Sequence, residues 1–143
     1  MLEELRRAPL SLYSTYIFIY IPWGFAMNSF GIWAEVAKFN HWWQVFTCYG
    51  LYMIPISILL KNKSIVTQYA YGLVAMAFLE FCGNYFQTSY TFPNNAIESF
   101  FGIRNFALGM AMFFALYFPV GNWAVEKLHG LLFKNNRVPQ QEE

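Results

Sequence analysis

An all-α integral membrane protein, a four-helix bundle, follows from the composition of the chain, from the lengths of its apolar runs and from the placement of its basic residues. Of 143 residues, 57% are hydrophobic, 22% aromatic and only 12% charged, against about 25% charged in an average soluble domain. Apolar runs cover residues 10–30, 42–60, 65–86 and 101–122, all approximate limits. Each is long enough to cross about 30 Å of hydrocarbon at about 1.5 Å per residue. Arg6, Arg7, Lys61, Lys63, Lys127, Lys134 and Arg137 would share one side of such a bundle, leaving Lys38 and Arg104 on the other. The positive-inside bias then puts both termini in the cytoplasm, and the abundance of Phe, Tyr, Asn and Lys fits a bacterial inner membrane. Residues 1–134 form a single domain on this reading, followed by a mobile polar tail at 135–143.

The first run follows "MLEELRR", a charged start like that of a signal peptide. No small-x-small cleavage site comes after it and three further runs do, so it reads as a retained first span. Between spans one and two, "GIWAEVAKFNHWW" (31–43) sets Trp33, Trp42 and Trp43 beside Glu35, Lys38 and His41, the mixture of an interfacial segment in the headgroup layer. "KNKS" (61–64) and "QTSYTFPNNAIES" (87–99) read as turns. After the fourth span, "NWAVEKLHGLLF" keeps apolar residues at helical spacing around Glu126 and Lys127, which predicts a C-terminal interfacial helix rather than a fifth span. Pro22, Pro55 and Pro119 predict kinks that neighbouring helices accommodate.

Glu80 is the misfit of the third span, since an intramembrane charge costs at least about 2.5–3.5 kcal/mol and normally faces a cavity or a partner. Helical spacing places Tyr69, Gly72, Met76, Gly83, Asn84 and Gln87 near its face, with Val74, Phe78, Phe81 and Tyr85 turned toward lipid. In the fourth span Arg104 shares a stripe with Ala107, Leu108, Ala111 and Ala115, and the alanines form a small-xxx-small ladder that admits close helix packing. Depth brings Arg104 within reach of Glu80 on the non-cytoplasmic side, so an interaction between them is expected, directly or through water. Asn28, Gln44, Thr47, Asn84, Glu98 and Asn105 gather at the same level. The expectation is a polar pocket there, with Glu80, Asn84, Arg104, Glu98, Asn105 and Asn28 as its binding residues and Tyr and Phe as its walls. The opposite half offers only Gln68, Asn122 and scattered hydroxyls. A plainer alternative makes the Glu80–Arg104 pair a clamp for helix register.

Several classes are disfavoured. A formal net charge of +1 gives no field for nucleic acid. Cys48 and Cys82 sit in apolar runs, outside any metal-ligand spacing, and read as buried thiols. His41 and His129 fall on opposite sides of the membrane, which disfavours a paired haem site. No phosphate-binding, dinucleotide, zinc-protease or hydrolase motif occurs, so no metal or cofactor is assigned. The stretch "FGIRNFALGMA" (101–111) resembles an element of small DoxX-like four-helix membrane proteins, in which an arginine opens a glycine-containing helix; no function follows from it. The function expected is binding of a lipophilic ligand or service as an accessory subunit, with membrane lipid, a hydrophobic small molecule or other membrane subunits as partners. The alternative is an enzyme acting on an isoprenoid or lipid through Glu80 or Glu98 with Arg104.

Overall fold

The computed structural model describes residues 2–101 and 106–133. Arg104, Asn105 and the tail at 135–143 lie outside the described residues, and with them the expected Glu80–Arg104 contact and the mobility of the tail. A short helix α1 (Leu2–Arg7) leads through Pro9, whose backbone is extended at φ −68°, into α2 (Leu10–Trp33). The second apolar run forms a π-helical stretch, Phe46–Met53, running directly into α3 (Ile54–Leu60). Pro55 supplies the reason: it has no N–H to donate and its ring crowds the carbonyl of Leu51 four residues back, so the preceding turns widen.

Helix α4 (Ile65–Phe86) has the limits expected of the third span. Ser64 caps it by accepting a hydrogen bond from the Thr67 N–H (3.3 Å), the usual role of an N-cap serine. At its other end Gln87 takes a left-handed conformation (φ 52°), and the Thr88 N–H bonds the Gly83 carbonyl at 3.0 Å, a Schellman closure. The fourth run gives α5 (Ala96–Phe101), α6 (Phe106–Ala115) and α7 (Tyr117–Phe133). The break at Leu116 again traces to a proline: Pro119 leaves the Ala115 carbonyl without its helical donor, and the Leu116 N–H turns to Phe113 O at 3.2 Å. Past Pro119 the helix continues to Phe133, with no stop at residue 122. Nothing from Asn122 onward forbids the helical continuation, because the next proline is Pro139.

Two helices are long and apolar enough to cross a membrane, Ile65–Phe86 and the joined helix Phe106–Phe133. Helix α2 is long enough, but its hydroxyls dilute its apolarity, and Phe46–Leu60 is apolar but shorter. Val74 (69% exposed), Phe78 (68%) and Tyr85 (82%) all face outward from α4, as their helical positions predict. Gly72 and Met76 face inward. Helices α4 and α6 form the most extensive helix pair, with Ala107, Ala111 and Ala115 all buried. A Cβ at Gly72 would run into the ring of Phe118, so glycine is what lets α7 approach α4.

The centre of the bundle is more polar than its outside. Tyr16 donates to Asn122 Oδ1 at 2.6 Å, and the Asn122 amide donates to the Ser57 carbonyl (3.1 Å) and to Gln68 Oε1 (2.9 Å). Gln68 in turn donates to the Lys63 carbonyl at 2.9 Å. Tyr20 meets Ser57 Oγ at 2.7 Å and donates to the Tyr117 carbonyl at 3.2 Å. All five side chains are buried, and they join α2, α3, α4 and α7.

Two variants probe this packing. Asn122→Leu strands the Tyr16 hydroxyl and Gln68 Oε1, so it is expected to cost about 1–3 kcal/mol, read as a lowered thermal midpoint in detergent; a midpoint equal to wild type would show that the network contributes nothing. Gly72→Ala is expected to lose about 1–3 kcal/mol by overpacking, in the same measurement.

Candidate functional site

The end of the bundle remote from Lys63 is roofed by two short strands, β1 (Ala37–Phe39) and β2 (Ser89–Thr91), paired antiparallel with Phe39 opposite Ser89 and Lys38 opposite Tyr90. The interfacial segment expected at 31–43 therefore contributes a strand, and its partner comes from the turn expected at 87–99. Gly31 makes the return possible: a Cβ there would strike the Ala37 carbonyl, and Glu35 turns the chain at φ 51°. Asn28 on α2 accepts a hydrogen bond from the Phe39 N–H at 2.9 Å. Gln44 ties the other side, donating to the Thr88 carbonyl at 2.7 Å while accepting from the His41 N–H at 2.8 Å. On the outer face the Lys38 ammonium stands 5.6 Å from the centre of the Tyr90 ring, a cation–π distance.

Beneath this roof lie two cavities. One, of about 180 Å³, is bounded by Met27, Asn28, Tyr49, Glu80, Met110 and Phe114 among others, with Lys38 at its rim. The second, of about 410 Å³, lies on the side of the π-helical segment and includes Gln44, Cys48, Tyr52, Leu79, Glu80 and Cys82. Phe39, Glu80 and Ser89 border both. Both walls are mainly apolar, and among the described residues Glu80 is the only carboxylate that either contains. Among the described residues nothing donates a hydrogen bond to Glu80, and the one ion pair there joins Glu3 and Arg7 on exposed α1 at 3.7 Å. An acceptor without a donor in an apolar cavity is suited to a guest that brings its own donor.

The structure brings together part of the expected set. Glu80 and Asn28 meet at the first cavity. Asn84 is exposed and borders neither cavity. Glu98 is engaged locally: its carboxylate accepts from the Asn94 N–H (3.2 Å) and its N–H donates to Asn95 Oδ1 (2.9 Å), a helix-capping arrangement at the start of α5. Arg104 and Asn105 fall outside the described residues. Sequence reasoning missed Phe39, Ser89 and Tyr49 as lining residues. The alternation in "TSYTF" and the glycine at 31 were the available signals for a strand pair.

The histidines are far from this site in role: His41 stacks on Trp43 at 5.7 Å with an interplanar angle of 7°, and His129 lies within 3.3 Å of Ser11 Oγ near the opposite end. Among the described residues no group of three or more His, Cys, Asp or Glu could hold a metal ion. One buried side-chain atom there lacks a partner, the Tyr117 hydroxyl. No protein-family model, characterised protein or solved structure matches the chain.

The roof should loosen without unfolding the bundle when its anchor is removed. Asn28→Leu is expected to speed amide hydrogen exchange at 36–40 and 88–92 by tenfold or more, about 1.4 kcal/mol or above, while α4 stays protected; unchanged exchange in both strands would rule out Asn28 as the anchor.

Proposed function

We propose that the chain is an integral membrane protein with four helical passes that binds a lipophilic small molecule beneath the strand pair, its polar end against Glu80. The observation that carries the reading is the apolar cavity that holds Glu80 without a donor among the described residues. Cavities of this kind, apolar with a few placed polar groups, are the usual form of a small-molecule site. The membrane setting is supported by the two long apolar helices and by outward faces crowded with Val, Leu and Phe around a hydrogen-bonded interior. Hydrogen bonding between α2 and α7 near Ser11 and His129, and contact of α1 with α3, put Arg6, Arg7, Lys61, Lys63 and Lys127 toward one end. That end is cytoplasmic by the positive-inside bias, which turns the roofed cavity to the non-cytoplasmic leaflet. An enzymatic role has less support, because Glu98 is committed to capping α5.

Native mass spectrometry of protein purified in mild detergent tests the proposal, with 1-dodecanol added as a probe. Wild type is expected to retain a bound lipophile or the dodecanol, and Met110→Trp, which fills the first cavity, to lose at least tenfold in occupancy with an unchanged elution profile. Absence of any adduct on wild type, or an adduct indifferent to Met110→Trp, overturns the assignment.

A further inference from the structure

Glu80 does not belong to a single cavity; it borders two apolar cavities, as do the paired residues Phe39 and Ser89. The first opens between α2, α4 and α6, the second between the π-helical segment and α4. A ligand with one chain would leave one of these spaces without an apolar occupant. From this arrangement, and resting on the lipophile-binding reading above, we infer that the guest is a two-chain neutral lipid with a free hydroxyl, of the diacylglycerol or ceramide class, straddling α4 at Glu80.

Three features select that chemistry. The hydroxyl supplies the donor that Glu80 lacks among the described residues. Two chains match two apolar spaces that share a single polar junction. A phosphate or carboxylate headgroup is disfavoured at the junction, because it would bring a second negative charge and more acceptors beside Glu80, while the nearby Lys38 ammonium is turned to the Tyr90 ring. Cys48 and Cys82 line the second space as small apolar surfaces, and Thr47, on its outer rim, is exposed.

The test compares 1,2-dioctanoylglycerol, dioctanoylphosphatidic acid and 1-dodecanol by native mass spectrometry on the full chain in detergent. Dioctanoylglycerol is expected to bind wild type at least tenfold more tightly than the phosphatidic acid. Binding of dioctanoylglycerol should fall at least tenfold in both Met27→Trp, which narrows the first cavity, and Thr47→Trp, which narrows the second; dodecanol should respond to Met27→Trp alone. Glu80→Gln, which keeps an acceptor, should bind within about threefold of wild type, and Glu80→Leu should lose at least tenfold, the equivalent of about 1.4 kcal/mol. Dioctanoylglycerol binding indifferent to Thr47→Trp, or equal binding of the phosphatidic acid, overturns the two-chain assignment while single-chain binding in the first cavity stands. Failure of every probe, dodecanol included, removes the underlying reading as well. Labelling of wild type does not depend on how the variants fold: dioctanoylglycerol with a diazirine at the end of one chain should label peptides of both cavities, and labelling confined to one overturns the inference.

Discussion

Everything in this bundle is referred to Asn122. Its amide makes three hydrogen bonds, one to a tyrosine of α2, one to the backbone of α3 and one to a glutamine of α4, while the residue itself belongs to α7. Each bond is short and every partner is buried, so sliding any of the four helices along its neighbours would strand a donor or an acceptor away from water. Apolar contacts are non-directional, so packing alone does not fix helix register so sharply. The glycines work to the same end: a Cβ on Gly121 would meet the Tyr20 hydroxyl, which is itself bonded to Ser57.

The two ends of the molecule follow opposite polar rules. Around Asn122 the polar groups terminate on backbone carbonyls of Lys63, Ser57 and Tyr117, so each side chain of the set has a protein partner. Such a chain also makes a poor proton path, since its links end on amide carbonyls that do not pass protons on. Under the strand pair the arrangement is open: cavities in place of packing, and a carboxylate without a donor among the described residues. A closely bonded centre thus stands beside loosely filled cavities, with the buried alanines of α6 packed along α4 between them.

How much of this was legible in the sequence depends on the range of the interaction involved. Local rules located well: α4 begins and ends where Ser64 and the polar run after Phe86 predict, and helical phase sorted Val74, Phe78 and Tyr85 outward from Gly72 and Met76. The alanine ladder of α6 is buried as its spacing predicts. Tyrosine is the residue type whose place local rules do not give: Tyr16, Tyr20 and Tyr49 are buried, and Tyr52 bolts its helix to α4 through the Ala75 carbonyl at 2.6 Å. A phenol is apolar over most of its surface and polar at one atom, so its place depends on a partner that only the tertiary fold supplies. The same limit applies to the strand pair, whose members lie some fifty residues apart and whose local trace is no more than the alternation in "TSYTF" and the glycine at 31. Glu98 is engaged for a local reason, the Asn95 cap, whose residues stand together in "NNAIE".

The roof also sets an order of assembly. Its strands are three residues each and come from connectors on either side of the second and third apolar runs, so neither strand has a partner until α4 has been synthesised and docked. Pairing over such a separation carries a loop-closure cost that the intervening helices must first remove by packing. The chamber under the strands is consequently the last part of the fold to exist. Until the strands pair, the walls around Glu80 lack their cover, so the enclosure of that carboxyl depends on pairing between connectors some fifty residues apart.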